Sequence, residues 1–283
     1  MNKQNVQKNI TLNILFQLIN IVYGLILPRI LINNYGSEMN GLVSAILQMI
    51  GYMTIVEAGL SAASIRQFYE PLIKKDSQKI NDLFQSINYY YKKIANYFLL
   101  IVVVVAIFYS TVVKAQVENF YVFLLVIAIS LSTFFDFSFA TKYYIYYLAK
   151  KEAYKYQISQ IISQFIKIII ALVCVYIKAE VLLLFILVSL VVLIKVIILK
   201  RMFSQEEFEL CSEYNLIKID QRNSVFVHQI LGLIIYNGPI ILISIFIDAF
   251  NASVFSIYNI IFGTFYGFYS LIYSQTILPQ LGH

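Results

Sequence analysis

The sequence is poor in charge and in the residues that build disulfides, metal sites and catalytic centres. Only 13% of its 283 residues are charged and 60% are hydrophobic; there is no tryptophan, and there are only four prolines and two histidines. Such a composition excludes an ordinary soluble domain. The two cysteines, Cys174 and Cys211, indicate neither a disulfide framework nor a metal site.

A nucleotide-binding signature of the form GxxxxGK[ST] is also missing, so we expect no ATP-dependent activity and no cofactor. The net charge of +6 would suggest a nucleic-acid partner in a soluble protein. Here the positive charges are concentrated in short polar segments between apolar runs, which is the distribution of a membrane protein. We therefore expect no nucleic acid, and a transporter rather than an enzyme.

What the sequence does contain is a series of apolar runs long enough to cross a bilayer, which takes about 20 residues each. We predict an all-α, polytopic transmembrane helix bundle of about eight spans. The predicted spans are 9–34, 40–66, 86–112, 119–148, 156–178, 181–200, 223–247 and 253–280.

The orientation of the bundle follows from its lysines and arginines. Placing residues 1–8 in the cytoplasm puts most of the 21 basic residues on that side. Those left near the opposite ends are Arg29, Lys114 and Lys178. Span 1 lacks a small-residue cleavage site, so we interpret it as an uncleaved anchor. The expected location is the cytoplasmic membrane of a bacterial cell, with a cytoplasmic amino terminus.

The predicted spans fall into two blocks. Residues 1–200 hold spans 1 to 6, which we expect to form a six-helix lobe. The polar segment 201–222 is the longest charged break between spans and is predicted to be a cytoplasmic linker. Residues 223–283 would then hold the first two helices of a second lobe.

Two spans carry polar residues at helical spacing, so that each forms a stripe on one face. The stripe of span 1 consists of Asn9, Asn13, Gln17, Asn20 and Gly24. The stripe of span 5 consists of Gln157, Gln160, Gln164 and Lys167. Amides are costly facing lipid, so both stripes should face protein or water. They either line a hydrophilic cavity for a polyhydroxy substrate or bond neighbouring helices together.

Asp136 and Lys167 are ionisable residues near the middle of spans 4 and 5. They lie equally far from the basic turn at residues 150–152, so in an antiparallel hairpin they would reach one depth and could pair. Ionisable groups in hydrocarbon are costly and mark pathways or buried pairs. Two interpretations are open: a structural pair that fixes the two helices, or a pair that faces the cavity and exchanges partners.

Three further charged residues lie in the spans. Arg29, just after Pro28, either meets an anionic phosphate or extends its side chain to the membrane surface. Glu57, before Gly59, is either a proton or sodium site or the partner of Lys93. Lys195 lies near the inner end of span 6, where we expect its ammonium group to reach the surface.

The order of several motifs resembles the polysaccharide-transporter (oligosaccharide flippase) branch of the multidrug/oligosaccharidyl-lipid/polysaccharide exporter superfamily. The motifs are Pro28-Arg29-Ile30-Leu31, Tyr35-Gly36-Ser37-Glu38, Glu57-Ala58-Gly59-Leu60, Tyr69-Glu70-Pro71-Leu72 and Ala149-Lys150-Lys151-Glu152. The resemblance implies two six-helix lobes around a central cavity that opens alternately to each side. It also implies a polyprenyl-pyrophosphate-linked oligosaccharide as cargo, carried to the outer leaflet for capsule, O-antigen or exopolysaccharide synthesis.

The resemblance also suggests roles for residues. Arg29 matches the position of an arginine common in this branch, and cationic cavity residues are thought to meet the pyrophosphate. The predicted substrate-binding residues are Arg29, Lys167, Gln164, Gln160, Asn20 and Gln17. Glu57 and Asp136 are predicted to couple transport to a proton or sodium ion, or to balance charge. Expected partners are the lipid-linked oligosaccharide, membrane lipids, and polysaccharide polymerase and export proteins. No catalytic residue and no metal ligand is predicted.

Members of that branch usually have about 12 to 14 spans, each of about 20 residues, against about eight predicted here. We therefore expect a second lobe that is only partly present. Two alternatives to a flippase stay open: a cation-coupled multidrug exporter of the same superfamily, and a non-functional fragment of a flippase.

Overall fold

The computed structural model describes residues 3–57, 59–206, 214–219 and 238–272, and this part of the chain is built from helices. The α-helices are α1 (Lys3–Tyr35), α2 (Ser37–Met53), α3 (Leu60–Lys74), α4 (Ser77–Val112), α5 (Asn119–Phe135), α6 (Thr141–Ala149), α7 (Ala153–Tyr176), α8 (Val181–Phe203) and α9 (Ala249–Ile272). A 3₁₀ turn (Thr54–Glu57) follows α2, and a π-helical turn (Asp136–Ala140) joins α5 to α6. Residues 238–246 are also helical.

Five stretches of this helical structure are long and apolar enough to cross a membrane. They are Gln7–Tyr35, Ser77–Val112, Asn119–Ala149, Ala153–Tyr176 and Val181–Phe203. The prediction of an all-helical, membrane-embedded chain is confirmed in the described part. The five stretches correspond to predicted spans 1, 3, 4, 5 and 6.

Predicted span 2, at 40–66, is wrong as a single helix. The chain leaves the α-helix after Met53, tightens into the 3₁₀ turn, and passes through Gly59 before α3 begins. Gly59 has φ 85°, a left-handed conformation that glycine adopts without steric penalty. The break matters because it places Glu57 at a helix end and not on a continuous helical face.

Predicted spans 7 and 8 fall only partly within the described residues. Most of 223–247 lies outside them, including His228 and Asn237, and so does the end of 253–280. Helix α9 begins four residues before predicted span 8. Asp248 caps it, since its carboxylate accepts a hydrogen bond from the Asn251 amide at 2.6 Å.

The packing centres on α5 and α8. Helix α5 packs against α4 and α8, while α7 packs against α8 on one side and α1 on the other. Helix α2 contacts α1 and α9. The α2–α9 contact is very close at Gly41, where an added Cβ atom would lie 1.7 Å from the carbonyl oxygen of Ala249.

Each end of the bundle is fastened by hydrogen bonds between distant parts of the chain. At the end with the short turns, the Tyr35 hydroxyl donates to the Ala179 carbonyl at 2.6 Å. At the other end, residues 214–219 lie against α4 and bond to it through their backbone. The Asn215 amide donates to Asp82 at 3.2 Å and the Ile217 amide to Ser86 at 2.9 Å.

Candidate functional site

The π-helical turn places the acidic residue Asp136 inside the apolar bundle. Its backbone carbonyl accepts hydrogen bonds from the Thr141 amide and from the Thr141 hydroxyl, the latter at 2.9 Å. Single π turns inside α-helices occur frequently at functional sites, because they turn a side chain out of the regular helical array. The Asp136 carboxylate pairs with the ammonium group of Lys195.

The burial of this ion pair is uneven. The Lys195 side chain is 3% exposed, whereas the Asp136 side chain keeps 37% exposure. The Lys195 ammonium also donates to the Gln160 side-chain oxygen at 3.4 Å and lies 5.5 Å from the centre of the Tyr156 ring. The expectation that Lys195 reaches the membrane surface is therefore wrong: a carboxylate, an amide and an aromatic face hold its charge inside the bundle.

The expected pairing of Asp136 with Lys167 is wrong as well. Helix α8 packs along both α5 and α7, so it comes between the two predicted partners and supplies Lys195 instead. Lys167 is half-buried and near enough to feel the charges of Asp136 and Lys195. Among the described residues it has no ion-pair partner of its own. The site thus holds two lysines and one carboxylate.

The amide stripes divide into bonded and unbonded members. Asn9 joins helices: its side-chain nitrogen donates to the Lys151 carbonyl at 3.1 Å, and its oxygen accepts from the Tyr154 amide at 2.7 Å. Gln164 is 8% exposed, while Gln17 and Asn20 are half-buried. These three form no hydrogen bond with another described residue.

Arg29 lines a cavity between α1 and α9. The cavity has a volume of about 230 Å³ and is bounded by Gly24, Pro28 and Ile260, among others. A second cavity of about 260 Å³ shares those three residues and extends to α2. The Arg29 side chain is exposed and takes part in no ion pair within the described residues. Helix α1 continues through Pro28, so its helical segment does not end there.

A wider groove lies at the amino-terminal end of α1, between α1 and α7. Its volume is about 730 Å³. Polar residues supply much of its wall, including Gln4, Gln7, Lys8 and Thr11. The Lys8 ammonium lies 5.5 Å from the centre of the Tyr154 ring on α7. This groove reaches the ends of both amide stripes, because they run along the same two helices.

Glu57 lies at the end of the 3₁₀ turn, away from Lys93. One carboxylate oxygen, Oε2, is buried and accepts no hydrogen bond in the described part of the chain. The Tyr91 hydroxyl lies beside this carboxyl group, but outside good hydrogen-bond geometry. Lys93 is exposed and lies 4.5 Å from the centre of the Tyr89 ring. The prediction that Lys93 is the partner of Glu57 is wrong.

A second ionic cluster closes the end of the bundle that carries the basic turns. Glu206 accepts hydrogen bonds from the ammonium groups of Lys150 and Lys155, the latter at 2.8 Å, and its side chain is 3% exposed. Burial alone would raise the pKa of Glu206. The hydrogen bonds and charges of the two lysines outweigh burial and hold this pKa below its ordinary value of 4.5.

Sequence reasoning missed Lys195 and Glu206 as partners in these clusters. Spacing along one helix shows which residues share its face, but not which distant helix packs there. For Lys195 there was a signal: a lysine eight residues before the end of a span is far for its side chain to reach water. Within the described residues, no group of three His, Cys, Asp or Glu side chains could hold a metal ion.

Comparisons with known proteins leave the geometry as the only guide to function. No protein-family model, curated protein or solved structure shows significant similarity to the chain.

Proposed function

We propose that the chain is a membrane transporter that carries polyprenyl-pyrophosphate-linked oligosaccharide from the inner to the outer leaflet by alternating access. The observation that carries the proposal is a set of polar side chains within membrane-length helices that have no partner in the described residues: Gln17, Asn20, Gln164 and Lys167. Amides and ammonium groups left unpaired in hydrocarbon cost several kcal/mol, about 2 or more each. They are stable where water or a polar cargo contacts them.

The positions of these groups suit an amphiphilic cargo. The wide groove between α1 and α7 opens at the amino-terminal end, and the amide stripes lead from it along the two helices. Sugar hydroxyls both donate and accept hydrogen bonds, as side-chain amides do. The lipid tail needs no binding pocket, because it can stay in the bilayer beside the exposed apolar face of α1.

Arg29 supplies the charge that a pyrophosphate requires. Its guanidinium group has several donors in a planar array that matches phosphate oxygens. It is exposed in the cavity next to α9 and has no carboxylate partner among the described residues. Lys167 is the second free cation, near the middle of α7. Asp136 and Lys195 would hold a neutral pair beside it, so the net charge added by Lys167 remains available for an anion.

The test compares flipping by variants of the full chain. We expect Arg29→Ala and Lys167→Ala to cause lipid-linked repeat units to accumulate in the inner leaflet, since each removes an anion-binding group. Lys178→Ala is the matched control, because Lys178 is an exposed cation in a turn outside the cavities. Normal flipping by a folded protein that carries both changes would contradict the assignment of these residues.

A cation-coupled multidrug exporter is the second candidate, and Glu57 favours it. A buried carboxyl group without a basic partner is a suitable site for a proton or for a cationic drug. We expect Glu57→Gln to abolish proton-dependent drug efflux if this candidate is correct. If the chain is a flippase of lipid-linked sugars, drug accumulation will be the same with and without the protein.

A further inference from the structure

Three lysines from three helices lie together on a surface far from the cavities described above. They are Lys92 of α4, Lys142 of α6 and Lys200 of α8. The ammonium groups of Lys92 and Lys200 are near enough to that of Lys142 to repel it. Lys92 and Lys200 are exposed, whereas Lys142 is half-buried. None of the three pairs with a carboxylate in the described part of the chain.

The half-buried lysine is held in place, so the cluster is not a chance meeting of flexible side chains. The Lys142 ammonium donates to the Asn88 side-chain oxygen at 2.9 Å. It also lies 5.8 Å from the centre of the Phe84 ring and 5.4 Å from that of the Tyr143 ring. These rings pack on Phe203 at centroid distances of 4.5 and 5.3 Å, which ties α4, α6 and α8 together beneath the lysines.

The three lysines also share one depth in the membrane. At 1.5 Å per helical residue, Lys92 lies about 30 Å from Val112, Lys142 about 34 Å from Asn119 and Lys200 about 28 Å from Val181. Those three residues end or begin helices at the same side of the bundle. A hydrocarbon layer is about 30 Å thick, so all three ammonium groups reach the opposite boundary, where phospholipid headgroups lie.

We infer that Lys92, Lys142 and Lys200 form a binding site for the phosphate of an anionic membrane phospholipid. Basic pockets between membrane helices bind such headgroups on the side that carries the positive charges. The surface toward the bilayer centre is apolar: Leu193 and Ile197 precede Lys200 on the same face of α8 and are 36% and 53% exposed. An acyl chain can lie on them while its phosphate meets the lysines, which a free phosphate ion cannot do.

The test measures lipid binding by the purified full chain, using native mass spectrometry in detergent with added phosphatidylglycerol or phosphatidylcholine. We expect retained phosphatidylglycerol, and an apparent affinity that falls about fivefold for each lysine changed to glutamine. The triple variant Lys92→Gln, Lys142→Gln, Lys200→Gln is compared with a matched triple variant of exposed lysines on the same side, at Lys75, Lys79 and Lys151. Equal binding by the two triple variants would overturn the inference.

Two further arms keep the result unambiguous. If inorganic phosphate displaces the lipid at equal concentration, the site recognises free phosphate and the assignment to a lipid is wrong. If the triple variant does not fold, the single variants Lys92→Gln and Lys200→Gln decide, because both side chains are exposed and carry no hydrogen bond that the fold needs. Unchanged phosphatidylglycerol affinity in both would likewise reject the site.

Discussion

Helices α1 and α8 are both apolar enough to span a membrane, but they are packed very differently. In the most apolar stretch of α8, 44% of the residues are buried within the protein, against 11% for α1. Helix α5 matches α8 at 44%, and α7 is intermediate at 28%. The chain therefore has a well-packed half around α5 and α8 and a sparsely packed half around α1.

The polar residues differ between the halves in the same way. In the packed half they have partners: Lys195 pairs with Asp136, and the Ser189 hydroxyl donates to the Ala128 carbonyl at 2.8 Å. In the sparsely packed half, Gln17, Asn20 and Arg29 have none among the described residues. The contrast teaches that polar groups in the first half hold the fold, while those in the second half are available for a ligand. The following predictions test that division.

The largest effect is expected from Asp136→Ala. It leaves the ammonium group of Lys195, which is 3% exposed, without its counter-charge. We expect a loss of about 3 kcal/mol in the free energy of unfolding, measured by denaturant titration in detergent micelles. The reverse change, Lys195→Met, should cost about half as much, because Asp136 keeps 37% exposure and water can solvate it.

The double variant Asp136→Ala, Lys195→Met is the control for this pair. Removing both charges should restore most of the stability, since replacing a buried ion pair by apolar groups is often nearly neutral. A double variant no more stable than Asp136→Ala would show that the two residues do not act as a pair.

A smaller loss is expected from Gly41→Ala, at the contact between α2 and α9. The new methyl group would lie 1.7 Å from a backbone oxygen of Ala249, so the two helices must separate. Overpacking of this kind costs about 1–3 kcal/mol. Gly24→Ala is the matched control, since its methyl group meets only Ile260 at 4.0 Å. Equal stability of the two variants, again by denaturant titration, would argue against a tight α2–α9 contact.

The Glu206 cluster should make stability depend on pH. Because the pKa of Glu206 is lowered in the folded state, its stabilisation is complete above 4.5 and is lost as pH falls through the lower folded pKa. We expect Glu206→Gln to cost about 1 kcal/mol at pH 7, a modest value because both lysines remain partly exposed to water. The difference from the unmodified protein should vanish in acid. A difference that stays constant from pH 7 to pH 3 would refute this assignment.

The smallest effect is expected from Asn9→Ala. Asn9 of α1 caps the first turn of α7 by accepting the Tyr154 amide, and loss of a cap costs about 0.5–1 kcal/mol. Asn13→Ala is a matched control on the same face of α1, because Asn13 forms no hydrogen bond with a described residue. Amide hydrogen exchange at Tyr154 should rise only in the Asn9 variant; a similar rise in both would mean that Asn9 is not the cap.

The helices of the chain could be predicted from the sequence because apolar length is a local property. Most boundaries agree with the structure to within a few residues where α1, α5, α7 and α8 are concerned. The break at Gly59 was missed, since a single glycine inside an apolar run does not reveal whether its φ is positive. The π turn at Asp136 gives no signal in the residue pattern either.

The partners of the charged residues could not be predicted, because they depend on which helices meet. Asp136 and Lys167 are correctly placed near one depth, but the sequence does not show that α8 packs beside both helices. Lys195 and Glu206 acquire their partners through contacts across 50 residues or more. The amides without partners, by contrast, follow from composition and spacing, since the stripes on α1 and α7 were visible as patterns.

The most direct test asks whether water reaches the unpartnered polar face of the bundle. With Cys174 and Cys211 replaced by serine, single cysteines are placed at Asn20, at Lys167 and, as the lipid-facing control, at Leu172, which is 53% exposed on the same helix as Lys167. A membrane-impermeant maleimide should label the first two in intact vesicles and leave the third unmodified, because only a hydrated thiol reacts. Labelling of neither Asn20→Cys nor Lys167→Cys, in protein shown to be folded and inserted, would contradict a water-filled passage.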